Sequence, residues 1–180
     1  MPRSPRTLIL GGARSGKSRH AEALVLEAAR ATDTKPVYIA TYRPWGDDPE
    51  MDDRILRHQM RRGTAWDLVE APVTLPDTLA AHADRPVLVD CLTLWLTNLL
   101  LDEAGIEGQI GRLLAALETR GVPAVLVANE VGLGLVPETP LGRRFRDEAG
   151  RLNQRVAAAC ERVVFIAAGL PLTLKDQGRA

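Results

Sequence analysis

Short apolar runs alternate with longer amphipathic stretches along this chain. Thr7–Leu10, Val37–Ala40, Val87–Asp90, Ala124–Ala128 and Val163–Ala167 are dominated by aliphatic and β-branched side chains. Several show no polar alternation, as befits strands covered on both faces. Between them, helical patterning runs over Ser18–Ala31, Glu50–Arg62, Leu75–Ala83, Leu94–Asp102, Ile110–Arg120 and Pro140–Glu161. This alternation predicts βα units on a mostly parallel sheet. Leu172–Leu174 follows the last such run too closely for a crossover helix, so it is expected to pair antiparallel at an edge. Asp67–Glu70 reads as a further short strand, and Tyr42–Pro49, rich in Pro, Gly and Asp, as a surface loop. The last helix has the clearest start: Thr139 as N-cap, Pro140 at the first helical position, then Leu141, Phe145, Leu152, Val156 and Ala159 on one stripe.

Composition narrows the possible partners. The chain has 180 residues, 46% hydrophobic and 26% charged, enough for one domain with its own core. Lys+Arg and Asp+Glu balance at 23 each, and the pI is near 6.8, so bulk attraction to nucleic acid or anionic lipid is excluded. Any anion must be caught by a local site. Cys91 and Cys160 have no CxxC or Cys/His spacing and read as buried thiols in a reducing cytoplasm. Leu8-Ile9-Leu10 is too short an apolar run for a signal peptide or a membrane span. Residues 1–180 are therefore expected to form a single domain, with 1–6 a flexible N-terminus.

The local site follows the first strand directly. Gly11-Gly12-Ala13-Arg14-Ser15-Gly16-Lys17-Ser18 satisfies G-x-x-x-x-G-K-[ST], with a strand before it and a helix after it. In such a phosphate-binding loop the backbone N–H groups form an anion nest at a helix N-terminus, Lys17 reaches the β- and γ-phosphates, and Ser18 offers its hydroxyl to Mg²⁺. A carboxylate at a neighbouring strand end normally completes the magnesium shell, and Asp90 ends Val87–Asp90. The competing reading of Asp90 is a cap for the helix beginning near Leu94. A second acid, Glu130, follows Asn129 at the end of Ala124–Ala128. Three strand ends thus converge on the edge where open α/β sheets bind ligands.

Two helical constellations are less specific. Arg146, Gly150 and Asn153 share a face of the last helix, the glycine leaving room for a ligand or another chain; a solvated face explains the charges equally well. Arg54, Arg57, His58, Arg61 and Arg62 put four arginines around one histidine. Arginines disfavour protonation of an imidazole and attract phosphate, the conditions for a neutral nitrogen nucleophile at phosphorus, although a solvated basic face is the plainer alternative. His20, just after the loop, and His82, at an Ala-rich helix end, read as structural or exposed.

Taken together, the motif Gly11–Ser18 with Arg19, Tyr38-Ile-Ala-Thr41, Arg54-Ile-x-x-His58, the block from Asp90 through Trp95 to Asn98, Asn129-Glu-Val-Gly132, Val136-Pro137 and Phe145-Arg-Asp147-x-x-Gly150-x-x-Asn153-Gln154 resemble the bifunctional adenosylcobinamide kinase/adenosylcobinamide-phosphate guanylyltransferase family of cobalamin biosynthesis. The resemblance runs from Thr7 to about Lys175. It implies a P-loop, RecA-like α/β subunit, assembled as a homotrimer, using Mg²⁺ with ATP and GTP as substrates. Adenosylcobinamide is first phosphorylated on its aminopropanol arm. GTP then guanylylates a histidine, and GMP passes to adenosylcobinamide phosphate to give adenosylcobinamide-GDP. The family's guanylylated histidine lies in the Arg-Ile-x-x-His helix, which carries that role onto His58, with Arg54 and Arg61 beside the nucleotide. Some relatives have two adjacent histidines there; here Arg57 precedes His58, and Arg62-Gly63 replaces a common Arg-Pro.

Two rival classes share the loop. A single-function small-molecule kinase would not retain GMP covalently. A non-enzymatic RecA-like nucleotide switch would respond to a protein or polynucleotide and not to a corrinoid. Neither accounts for the blocks outside Gly11–Ser18.

Overall fold

The structure, a computed structural model, describes residues 6–44, 46 and 63–177. The helix expected over Glu50–Arg62, and with it Arg54, Arg57, His58, Arg61 and Arg62, lies outside the described residues. In chain order the elements are β1 (Arg6–Gly11), α1 (Lys17–Thr32), β2 (Val37–Ala40), β3 (Asp67–Glu70), α2 (Leu75–Ala81), β4 (Val87–Asp90), α3 (Leu92–Leu101), α4 (Ile106–Glu118), β5 (Ala124–Asn129), α5 (Pro140–Ala159), β6 (Arg162–Ala167) and β7 (Leu170–Asp176). One seven-stranded sheet has the order β3-β2-β4-β5-β1-β6-β7. Every pairing is parallel except β6 with β7, so the class is the expected P-loop, RecA-like α/β sheet with an antiparallel C-terminal edge.

Unbroken apolar strands behave as two-sided cores should. Leu8, Leu10, Val37, Ile39, Val87, Val89, Ala124, Leu126 and Ala128 point into one core with side chains of α2, α3, α4 and α5. Ile9, Tyr38, Leu88, Val125, Val127, Val164 and Ile166 point into the other, against Ala21 and Val25 of α1 and the indole of Trp66. Successive strand residues thus alternate between two buried faces. Burying each aliphatic side chain contributes about 1.5–3 kcal/mol, which is why both faces carry helices.

Helix boundaries depart from the sequence pattern in places. α4 begins at Ile106, four residues before the expected Ile110; Ile106, Ile110, Leu113 and Leu117 form one stripe on the core, and the glycines at 108 and 111 obscure its first turn in the sequence. α3 begins at Leu92 with Cys91 at the N-cap position. On α5 the Thr139 hydroxyl accepts from the Gly142 N–H at 3.1 Å, the cap that was expected. Leu141, however, is 51% exposed, and Ala149 takes its place in the buried stripe. β7 is longer than Leu172–Leu174, because Ala168 (φ +51°) and Gly169 (φ +81°) make a two-residue turn and Pro171 is tolerated on an edge strand.

Two buried cations tie these layers together. Arg120 is 5% exposed and donates to the carbonyls of Leu79 and His82 (2.9 and 3.0 Å) and of Arg85 (2.5 Å), closing the end of α2; burial lowers its pKa to about 10. Arg6, expected in a flexible N-terminus, instead opens β1; it is 8% exposed and clasped by Glu161, which fixes it there. The Glu161 carboxylate accepts from the Arg6 backbone N–H at 2.7 Å and from its Nε at 3.1 Å. Burial raises the pKa of this carboxyl, but the hydrogen bonds from Arg6 outweigh it and leave a value of about 2. A depressed carboxyl stabilises the fold above its unfolded pKa and loses that contribution as protons return, here between about pH 5 and pH 2. Glu161→Gln should therefore cost roughly 1–3 kcal/mol at pH 7, discounted from a fully buried pair for partial exposure. In urea titrations the gap between parent and variant should narrow below about pH 5 and close only below about pH 2. A gap independent of pH would reject the assignment.

Candidate active site

The carboxyl ends of β1, β4 and β5 lie side by side, since these strands are adjacent and parallel; the register pairs Gly11 with Asn129, and Asp90 with Val127. The phosphate-loop sequence leaves β1 at this edge. At Gly11 a Cβ would sit 2.4 Å from the Ile166 carbonyl oxygen and 2.8 Å from Ser15 Oγ, so no side chain fits. Gly16 has φ +100° and is the N-cap of α1, a backbone conformation suited to glycine. Gly12 has open space around it, while Ala13 and Arg14 are exposed, Arg14 with φ +54°. The Gly169 N–H donates to the Ser15 carbonyl at 2.9 Å, so the β6–β7 turn braces the loop from behind.

Lys17 is the first residue of α1 and only 7% exposed; its Nζ donates to the Gly12 carbonyl at 2.5 Å, across the loop. Ser18 follows in the same first turn, half-buried. The loop's backbone and the N-terminus of a 16-residue helix thus face one point together with an ammonium, an arrangement suited to a polyphosphate.

Asp90 is half-buried, and its Oδ2 accepts the Tyr38 hydroxyl at 2.5 Å from the neighbouring β2. It does not cap α3. Tyr38 in turn meets Trp66 edge to face, with ring centroids 5.7 Å apart. The Thr41 hydroxyl, fully buried, donates to the Cys91 carbonyl at 2.7 Å and accepts the Cys91 N–H at 2.8 Å. Asn98 Nδ2 donates to the carbonyls of Thr41 and Pro72, both at 2.8 Å. The Tyr38–Thr41 and Asp90–Asn98 blocks therefore act as a frame that fixes where Asp90 stands. The Cys91 thiol is pushed up to about 11 by burial and then by the Asp90 charge, so it stays protonated and is no nucleophile.

The end of β5 is held just as closely. The Asn129 N–H donates to Thr93 Oγ1 at 2.7 Å, and the Glu130 N–H to the Gly11 carbonyl at 3.0 Å. Glu130 Oε1 accepts the Gly132 N–H at 2.6 Å. On α5, Arg146 and Gly150 line an open cleft with Gly132, Asp147, Arg151 and Gln154, whereas Asn153, at 8% exposure, turns to the core side. His20 lies on α1; burial and then Arg162 lower its pKa, and no hydrogen-bond partner for its Nε2 stands among the described residues. The His82 carbonyl receives Arg120, a structural role.

The structure thus brings together Gly11–Ser18, Asp90, Asn129 and Glu130. Arg146 stands on the neighbouring cleft, and Arg54, His58 and Arg61 lie outside the described residues. Tyr38 was missed as the partner of Asp90; a tyrosine in a buried strand, whose hydroxyl must find an acceptor, was the available signal.

A family model described as "Cobinamide kinase / cobinamide phosphate guanyltransferase" matches residues 7–174. The chain is 49% identical to the bifunctional adenosylcobalamin biosynthesis protein CobP of Pseudomonas aeruginosa, over 96% of this chain and 98% of that protein. It is 40% identical to the bifunctional adenosylcobalamin biosynthesis protein CobU of Escherichia coli K12, over 93% of this chain and 98% of that one. Among solved structures, the flagellar accessory protein FlaH of Methanocaldococcus jannaschii superposes with a TM-score of 0.56 at 11% identity, covering 98% of this chain and 80% of that one, a likeness of fold alone.

Proposed function

Since the chain belongs to the cobinamide kinase / cobinamide phosphate guanyltransferase family, we propose that it catalyses both reactions at the carboxyl edge of its sheet. In the first, the arm hydroxyl of adenosylcobinamide attacks the γ-phosphorus of ATP or GTP, and the nucleoside diphosphate leaves. In the second, an imidazole nitrogen of His58 attacks the α-phosphorus of GTP, the α–β P–O bond breaks, and pyrophosphate leaves. A phosphate oxygen of adenosylcobinamide phosphate then displaces the histidine, giving adenosylcobinamide-GDP and the free imidazole. The observation that carries this reading is the near full-length family match combined with a phosphate loop that leaves β1 beside the ends of β5 and β4.

Lys17 and the loop backbone bind the β- and γ-phosphates, and no covalent help from the protein is needed at the γ-phosphorus. Arg54 and Arg61 are assigned to the nucleotide beside His58. Ser18 and Asp90 are the residues that would hold Mg²⁺, with Glu130 close by. Their donors are all oxygen, which fits this hard cation. Among the described residues no three His, Cys, Asp or Glu side chains form a protein cage, and a magnesium carried by a triphosphate needs none. When bound, the cation supplies charge neutralisation at the phosphates.

Incubation with adenosylcobinamide, GTP and magnesium, with products identified by mass, tests the function: adenosylcobinamide phosphate and adenosylcobinamide-GDP are expected, and their absence rejects it. Asp90→Asn and Glu130→Gln should each lower turnover by about 10²-fold or more with little change in melting temperature. Magnesium titrations matching the parent for both variants would dismiss them as metal-facing acids.

The same reading includes a homotrimer in the cytoplasm. Leu170, Leu172 and Leu174 stand at 72%, 59% and 57% exposure on one face of the edge strand β7, the kind of surface that another chain covers. Both cysteines are buried free thiols, and among the described residues no helix is long and apolar enough to cross a membrane. Sedimentation should show a trimer; a monomer throughout the micromolar range excludes it.

A further inference from the structure

The cleft beside α5 is not explained by nucleotide binding. It has a volume of about 430 Å³ and is lined by Gly132, Arg146, Asp147, Gly150, Arg151 and Gln154. Its floor is one face of α5, where Arg146, Gly150 and Gln154 follow at four-residue spacing, and its near wall is the turn that leaves β5. That turn joins it to the catalytic edge. Gly132 is two residues beyond Glu130, so their Cα atoms are at most about 7 Å apart, and the Glu130 N–H is bonded to Gly11 at the start of the phosphate loop.

Three observations say what the cleft takes. Its charges are two arginines against one aspartate, and the Arg146 guanidinium, with its side chain 25% exposed, reaches Asp147 only at 3.8 Å, outside hydrogen-bond range. Gly150 sits inside a 20-residue helix, where glycine costs about 1 kcal/mol relative to alanine. Yet a Cβ there would meet nothing within 4 Å. The packing of the fold does not require that glycine, which leaves the cleft floor open. Finally, Leu133, Leu135 and Val136, which follow the lining residue Gly132 in the chain, are 81%, 96% and 62% exposed, an apolar stretch leading away from a cationic floor.

We infer that this cleft is the acceptor site: Arg146 grips the phosphate of the cobinamide phosphate, Gly150 makes room for its arm, and the stretch from Leu133 to Val136 carries the macrocycle. The inference rests on the family reading and deepens it. The acceptor must reach the nucleotide from outside the phosphate loop. A cleft that begins two residues beyond Glu130, whose N–H is bonded to Gly11, lies next to that loop without being part of it.

The test separates the acceptor from the nucleotide. Protein-bound guanylate formed from GTP alone is measured first, then the KM for cobinamide phosphate in guanylyl transfer. For Arg146→Gln the acceptor KM should rise roughly 10- to 100-fold, the loss of one charge-assisted hydrogen bond, with labelling by GTP unchanged. Gly150→Phe should fill the cleft and produce the same split without lowering the melting temperature, because the site has space for it and loses a helix glycine. Arg155→Gln, on the same helix but paired with Glu107 at 2.7 Å, should leave both parameters at parental values. An unchanged acceptor KM in folded Arg146→Gln and Gly150→Phe proteins would overturn the proposal, as would a loss of GTP labelling in its place, which would move the cleft to the nucleotide. A parent that forms no guanylate and no product would instead reject the family reading beneath it.

Discussion

Lys17→Ala is expected to abolish phosphorylation of adenosylcobinamide and guanylylation from GTP together, each by about 10³-fold or more, while the protein stays folded. Both reactions develop negative charge on phosphate oxygens that the same loop must hold, and a preorganised donor aimed at such charge is worth about 10²–10³ in rate even when it is neutral. The Lys17 ammonium stands 2.5 Å from the Gly12 carbonyl, across the mouth of the loop, and is 93% shielded from solvent. Its removal leaves the protein folded. The hydrogen bond to the Gly12 carbonyl is worth about 1.5–3 kcal/mol, and alanine has high helix propensity. Circular dichroism melts should therefore differ by several degrees at most while turnover disappears. Turnover within tenfold of the parent in a folded variant would remove the loop from both reactions.

This loop was legible because its chemistry is contiguous. Eight successive residues carry it, and the strand before and the helix after are each written in their own local pattern. Asp90 and Glu130 were legible for a related reason: each closes an apolar run, and the ends of parallel strands must gather at one edge. What escaped needs sheet order or a view across a helix. Tyr38 meets Asp90 only because β2 lies next to β4, although 52 residues separate them in sequence. Arg146 and Gly150 were legible as one helix face with room for a ligand, but the wall of the cleft escaped because the pattern of α5 says nothing of what the turn after β5 brings to that face. Asn153 shows the limit of face arithmetic. It follows Gly150 by three residues, yet that small rotation about the helix axis is enough to bury it while Gly150 opens to the cleft. The start of α4 was hidden by two glycines that count against a helix locally, although Ile106 packs against the core and extends it. Tertiary burial overrides propensity there.

His58→Ala should separate the two chemistries that Lys17→Ala removes together. Attack at the γ-phosphorus by a bound hydroxyl needs no nitrogen nucleophile, so the variant should still phosphorylate adenosylcobinamide within a few-fold of the parent rate. Storage of GMP does need one, so protein-bound guanylate and adenosylcobinamide-GDP should both be absent. In the parent the adduct should be acid-labile and alkali-stable, as a P–N bond to imidazole is and a serine ester is not. If Arg54 and Arg61 hold the α-phosphate against the ring, as proposed, their alanine variants should slow labelling without ending it. The obvious competitor is His20, whose pKa burial and then Arg162 lower. A low proton affinity is not sufficient for the role, however. The neighbouring charge must also draw phosphate, and the run Arg54 to Arg62 carries four arginines around His58 with no acid after Arg54. His20→Ala should accordingly label at the parental rate. A His58→Ala protein that still accumulates bound GMP, coupled with loss of label in His20→Ala, would transfer the nucleophile to α1 and leave the basic run as a solvated surface.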